Sequence, residues 1–149
     1  MDEHEWTVRV SSTALDASTV FVRKHQFVVG APVSFDEEAP RVSALEYLLG
    51  ALGADLVNGL VALARERRLD VDHAEAVVVG HLGDPLVYLG VVGAAGHPGL
   101  ARASIKVYAS SSDDEEGVRR LWQEVLRKSP LLRTLQPVVQ MVLELTVTP

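Results

Sequence analysis

With 149 residues, 48% of them hydrophobic and 23% charged, the chain has the balance of one globular domain spanning residues 1–149, not that of a disordered segment. A net charge of −6 leaves no basic footprint for nucleic acid and disfavours an anionic membrane surface. The sequence contains no cysteine, which excludes disulfide, thiol-peroxidase, persulfide-carrier and cysteine–zinc chemistry from this chain.

The opening MDEHEW is acidic and lacks an apolar h-region, so it does not read as a secretory signal, and a cytoplasmic location is expected. Trp6–Val10 alternates as a half-buried strand does, and Thr19–Val22 and Gln26–Val29 are further β-prone runs. Gly30, Pro32 and the acids before Pro40 mark a loop. Ser43 then caps a helix, with Glu46 three residues on completing a capping box. Leu45, Leu48, Leu49, Leu52, Leu56, Leu60 and Leu63 recur at helical spacing, and Arg65–Arg68 supplies a charged end. About 25 residues at 1.5 Å each give roughly 37 Å of helix. Glu46, Asp55 and Asn58 interrupt its apolar run, so it reads as a core helix and not as a membrane span. Gly50, Gly53 and Gly59 each cost about 1 kcal/mol relative to alanine, which points to another element approaching closely.

Ala76–Val79, Leu86–Val92 and Ala103–Tyr108 read as three more strands. The glycines at 90, 93, 96 and 99 form no GxGxxG between a strand and a helix, so they read as hairpin and loop residues, not as a phosphate cradle. The acids of Ser112–Glu116 suit a helix N-terminus. That helix continues through Val118, Leu121, Trp122, Val125 and Leu126 until Pro130, and Val138–Val147 closes the chain as a strand. The order strands, helix, strands, helix, strand predicts an α+β fold.

Two stretches carry a family resemblance. SALEYLLGALGADL (Ser43–Leu56) resembles the central-helix motif of the osmotically inducible protein C and organic hydroperoxide resistance (OsmC/Ohr) family, and SPLLRTL (Ser129–Leu135) resembles its second motif. The resemblance implies an OsmC-like fold in an intertwined homodimer, with two central helices packed with sheets and sites at the dimer interface. In active members a peroxidatic cysteine is oxidised by an organic hydroperoxide and a second cysteine resolves it. Here Asp55 stands at the first position and Ser129 at the second. Glu46 falls at the family's activating glutamate. Arg23 is the candidate for its arginine, although the Gly-Gly-Arg turn of the hydroperoxide-resistance branch is missing. The same strand would bring His25 toward the site, and Tyr47, Phe27 and Phe35 are candidates for an apolar lining or for ordinary packing.

The residues leave several roles open. Asp55 reads as one half of a structural ion pair across the dimer, as a permanent stand-in for an ionised cysteine that holds an arginine, or as a general base. Glu46 and Asp55, nine residues apart at about 100° per residue, lie on opposite sides of one helix, which speaks against a paired-carboxylate glycosidase within one chain. A nucleophilic Ser129 needs a base within reach, and His4, His25, His73, His81 and His97 are all distant in sequence and lie in no hydrolase motif. Those histidines also lack metal-ligand spacing, so neither metal nor cofactor is expected. The preferred reading is a thiol-free family member, a homodimer that binds a small apolar or amphipathic ligand or a partner linked to oxidative-stress or sulfur metabolism. The alternatives are an acid–base enzyme of hydrolase type using Asp55 and Glu46, and a non-catalytic scaffold.

Overall fold

The computed structural model describes residues 4–149. Ten elements follow one another: strands β1 (Arg9–Ala14), β2 (Ala17–Val22) and β3 (His25–Val29), helix α1 (Ala44–Glu66), β4 (His73–Leu82), a short α2 (Pro85–Tyr88), β5 (Leu100–Ser110), α3 (Glu115–Lys128), a short α4 (Pro130–Leu135), and β6 (Gln140–Thr148). This is the mixed α+β architecture that the hydrophobic pattern predicts. The chain divides into two compact units, Met1–Leu48 and Leu49–Pro149, and α1 begins in the first and continues through the second.

In the N-terminal unit β1, β2 and β3 form an antiparallel meander. The first strand begins at Arg9 and not at Trp6 as predicted, with a register irregularity between Ser12 and Ala14. Arg23, at φ 53°, turns the chain between β2 and β3. No apolar side chain described in this unit is fully buried, and Trp6 remains 85% exposed. The capping box expected at Ser43 is present: Glu46 N–H donates to Ser43 Oγ at 3.2 Å, and Ser43 N–H donates to Glu46 Oε2 at 2.7 Å.

The C-terminal unit holds the core. Its sheet has the order β4-β5-β6, with β4 and β5 antiparallel and β5 and β6 parallel, the parallel pair being joined through α3 and α4. Strand alternation sends Ala103, Ile105, Val107 and Ala109 inward from β5 and Leu145 from β6. Ile105, Val107, Ala109 and Leu145 meet Leu52, Leu56, Leu60 and Leu63 of α1, Val118, Leu121, Trp122 and Val125 of α3, and Leu132 of α4 in one cluster. By length and composition α1 could cross a membrane, but Leu52, Leu56, Leu60 and Leu63 lie in this core, so it is a core helix.

Leu86–Val92 is not a strand. Pro85 opens α2, and the Asp84 carboxylate accepts from Leu86 N–H at 3.1 Å to cap it. Gly90 (φ 71°) and Gly93 (φ 85°) then turn the chain left-handedly. Cap and turn chemistry override the β propensity of VYLGVV.

Close approach accounts for two of the three α1 glycines. A Cβ on Gly53 would come within 2.9 Å of Val78 Cγ2, and one on Gly59 within 3.3 Å of Val125 Cγ1, whereas one on Gly50 meets nothing within 4 Å. Gly50→Ala is therefore expected to stabilise the isolated chain by about 1 kcal/mol through helix propensity. In Gly53→Ala the new methyl must displace a stiff β-branched neighbour on β4, and the net change is expected to be a loss of about 1 kcal/mol. Urea denaturation of the two variants tests the contrast in sign.

Candidate functional site

α1 runs close enough to the end of α3 for Asp55 to reach the chain reversal at Ser129 and Pro130. Pro130 cannot continue α3 but suits the first turn of a new helix, so α4 starts there with Ser129 as its N-cap. Ser129 Oγ accepts from Leu132 N–H at 3.1 Å and donates its own proton to Asp55 Oδ2 at 2.5 Å. The same Asp55 oxygen accepts from Leu131 N–H at 3.3 Å. Asp55 is half-buried and Ser129 is buried, at 4% exposure. Neither polar group is left without a partner, which answers how a carboxylate is tolerated in an otherwise apolar helix. Asp55 forms no ion pair among the described residues. Its partners are a hydroxyl and a backbone amide.

Beside this pair lies a pocket of about 270 Å³ lined by Asp55, Gly59, Ala62, Leu63 and Glu66 of α1 together with Val125, Lys128, Ser129 and Pro130. The Lys128 ammonium is committed to Glu124 Oε1 at 2.7 Å, which also receives Arg67 at 2.9 Å. Hydrogen bonding from Lys128, more than the opposing desolvation, holds the Glu124 carboxyl below its ordinary value. Glu66 has no such partner among the described residues.

Of the six site residues singled out in the sequence, the C-terminal unit brings Asp55 and Ser129 together. The other four belong to the N-terminal unit. The carboxylate of Glu46 is occupied by the capping box. Tyr47 OH donates to Val28 O at 2.9 Å, and its ring packs 5.1 Å from Phe27. Arg23 lies in the β2–β3 turn and lines a groove of about 260 Å³ with Trp6, Val8 and Val22, and His25 opens β3 with an exposed side chain. Glu66 and Lys128 escaped the sequence reading. Positions 55, 59, 62, 63 and 66 recur at i, i+4, i+7, i+8 and i+11, the spacing of one helical face, and that spacing was the available signal. Among the described residues no group of three His, Asp or Glu side chains is placed to hold a metal.

Chemically, the Ser129 hydroxyl donates to a carboxylate and not to an imidazole. A carboxylate is too weakly basic to activate a hydroxyl well, and Ser129 is already committed to capping α4. The arrangement ties two helices together at the rim of a pocket.

Residues 36–144 match the family model described as OsmC-like protein. The chain belongs to the OsmC-like protein family. Among solved structures it is similar to the OsmC-like protein of Mycoplasma pneumoniae, with a TM-score of 0.77 and 18% identity over 99% of this chain and 98% of that one. It is also similar to an organic hydroperoxide resistance protein OsmC of Legionella pneumophila, with a TM-score of 0.71 and 8% identity over 95% of this chain and 98% of that one. For the organic hydroperoxide resistance protein OhrB of Bacillus subtilis the TM-score is 0.61 at 16% identity, over 95% of this chain and 98% of that one. At such identities the likeness is one of fold. A search of curated proteins found no match. Within the OsmC-like family this member carries no cysteine, so thiol-peroxidase chemistry is absent from it.

The capping box also sets a pH dependence. Hydrogen bonding from the Ser43 backbone N–H, then from the Ser43 side chain, lowers the Glu46 carboxyl below its ordinary 4.5, against a smaller effect of desolvation. A folded-state value below the unfolded one gives stability that is present above about pH 4.5 and lost as pH falls through the folded value. Glu46→Gln is therefore expected to lose less stability than the parent between neutral pH and about pH 3, as urea midpoints will show.

Proposed function

We propose that this OsmC-like protein is a non-redox binding protein that holds a small amphipathic ligand in the pocket beside Asp55. The observation carrying this reading is the Ser129–Asp55 hydrogen bond of 2.5 Å at the rim of an apolar-walled pocket. By the motif resemblance these are the positions of the peroxidatic and resolving cysteines. A carboxylate and a hydroxyl there preserve a link between α1 and the start of α4 without an oxidisable atom. The pocket then serves for binding and not for turnover.

The same proposal includes a homodimer. A three-stranded sheet whose apolar side chains are exposed or only partly buried, with no fully buried apolar residue among those described in its unit, needs a further surface against it for stability. A second copy supplies that surface, and Gly50, with open space around its Cα, is where a second α1 would approach. A cytoplasmic role tied to oxidative-stress or sulfur metabolism belongs to this proposal and rests on family membership alone.

Native mass spectrometry of gently purified protein tests the reading, with Asp55→Ala alongside. The expected result is a dimer carrying a discrete extra mass that the variant loses, together with no consumption of cumene hydroperoxide in the presence of a dithiol. A bare dimer in both samples would overturn ligand binding, and a monomer would overturn the assembly.

A further inference from the structure

The floor of the pocket is a single face of α1. Asp55 and Glu66 are eleven residues apart, which at about 100° and 1.5 Å per residue places them within about 20° of one another and roughly 16 Å apart along the helix. Gly59, Ala62 and Leu63 lie between them and offer only hydrocarbon and backbone, and Val125 and Pro130 add further apolar wall. Each end of this strip therefore carries a carboxylate, and the middle is greasy and narrow. The charges at the two ends are not neutralised within the site. Asp55 Oδ1 and the whole Glu66 carboxylate have no partner among the described residues. The one lining cation, Lys128, is committed to Glu124 at 2.7 Å.

Resting on the reading of this pocket as a binding site, we infer that its ligand class is the long-chain linear aliphatic diamine, lying along α1 with one terminal ammonium at Asp55 and the other at Glu66. The chemistry follows from the lining. A terminal ammonium matches each carboxylate, and the methylene chain between them loses water against Gly59, Ala62 and Leu63. A volume of about 270 Å³ admits a slender chain, whereas drug-sized ring systems fill pockets from about 300 Å³ upward. A fatty carboxylate of the same length would put like charges together at either end, and a neutral alcohol would satisfy neither. A short diamine reaches one carboxylate at a time.

The test is amide-shift titration of the isotope-labelled protein with 1,12-diaminododecane, putrescine and 1-octanol, following Gly59, Ala62 and Leu63. The long diamine is expected to shift these amides saturably and to bind about tenfold more tightly than putrescine, which carries the same charge, with octanol weaker than the long diamine. Asp55→Asn/Glu66→Gln keeps the Ser129 acceptor and the helix and is expected to weaken the long diamine at least tenfold. Glu115→Gln/Glu116→Gln removes two charges elsewhere and is expected to leave its binding unchanged. A long diamine bound equally by the Asp55/Glu66 variant, or weakened equally by the Glu115/Glu116 variant, would overturn the assignment in favour of unspecific attraction to an acidic protein. If octanol shifts these amides and the long diamine does not, the diamine class falls while the pocket reading stands. If neither does, both fall.

Discussion

Cysteines introduced together at 55 and 129 should join under mild oxidation into one intrachain disulfide and raise stability by about 2–4 kcal/mol. The basis is geometric. Ser129 Oγ and Asp55 Oδ2 lie 2.5 Å apart although 74 residues separate them in sequence. Closing a loop of that length removes unfolded-state entropy worth about 4 kcal/mol in the chain-entropy model. A carboxylate reaches one bond further than a thiol, so the backbones must draw slightly together, and the lower part of the range is the safer expectation. At about 2–4 °C per kcal/mol for a chain of this size, the melting temperature should rise by roughly 6 °C. Intact mass under non-reducing conditions will show the loss of two hydrogens. Adding reductant should bring stability below that of the parent, because the hydrogen bond that joined the helices is gone. Two free thiols after oxidation would mean that α1 and the start of α4 do not face one another as described.

What was legible in the sequence follows the range of the interactions involved. The capping box of α1 and the spacing of Leu52, Leu56, Leu60 and Leu63 are each written within about one turn and are legible in the sequence, as is the strand that buries Ile105 and Val107. Leu86–Val92 has the β-branched content of a strand, but Asp84, Pro85 and two glycines at positive φ decide its structure. The second-helix region was read to its end at Pro130, but the residue that stops α3 also starts α4. Ser129 also bonds to the backbone, capping α4 through Leu132 N–H. Its bond to Asp55 had no local signal at all. Only the resemblance to the family motifs, in two places, relates those positions in the sequence. Glu66 illustrates the opposite case: it lay on the face of Asp55 by simple counting, and an exposed acid near a helix end attracts no notice until a pocket is seen to run along that face.

Asp55→Ala is expected to destabilise the protein by about 2–3 kcal/mol, and Asp55→Asn by less than about 1 kcal/mol. The alanine variant removes the acceptor of two hydrogen bonds and leaves the hydroxyl of buried Ser129 and the Leu131 N–H to find other partners. Bonds to a charged acceptor are worth about 1.5–3 kcal/mol each where water is excluded and less here, because Asp55 is only half-buried. Asparagine retains a carbonyl oxygen that can accept from both donors, so hydrogen bonding survives and only the charge is lost. Combining Asp55→Ala with Ser129→Ala should cost less than the sum of the two single changes, by about 1 kcal/mol, since the shared bond is counted once. The Asp55→Asn measurement carries the most weight because it separates two physical roles of the carboxylate. A small cost means that Asp55 acts as an acceptor that latches α1 to α4, and its negative charge is then free for a cation held in the pocket. A cost as large as that of alanine means that the charge itself stabilises the fold, which requires a cation facing Asp55 from a second copy of the chain. Repeating the measurement at high salt distinguishes them further: a charge–charge contribution shrinks as screening rises, whereas a hydrogen bond to a neutral hydroxyl does not.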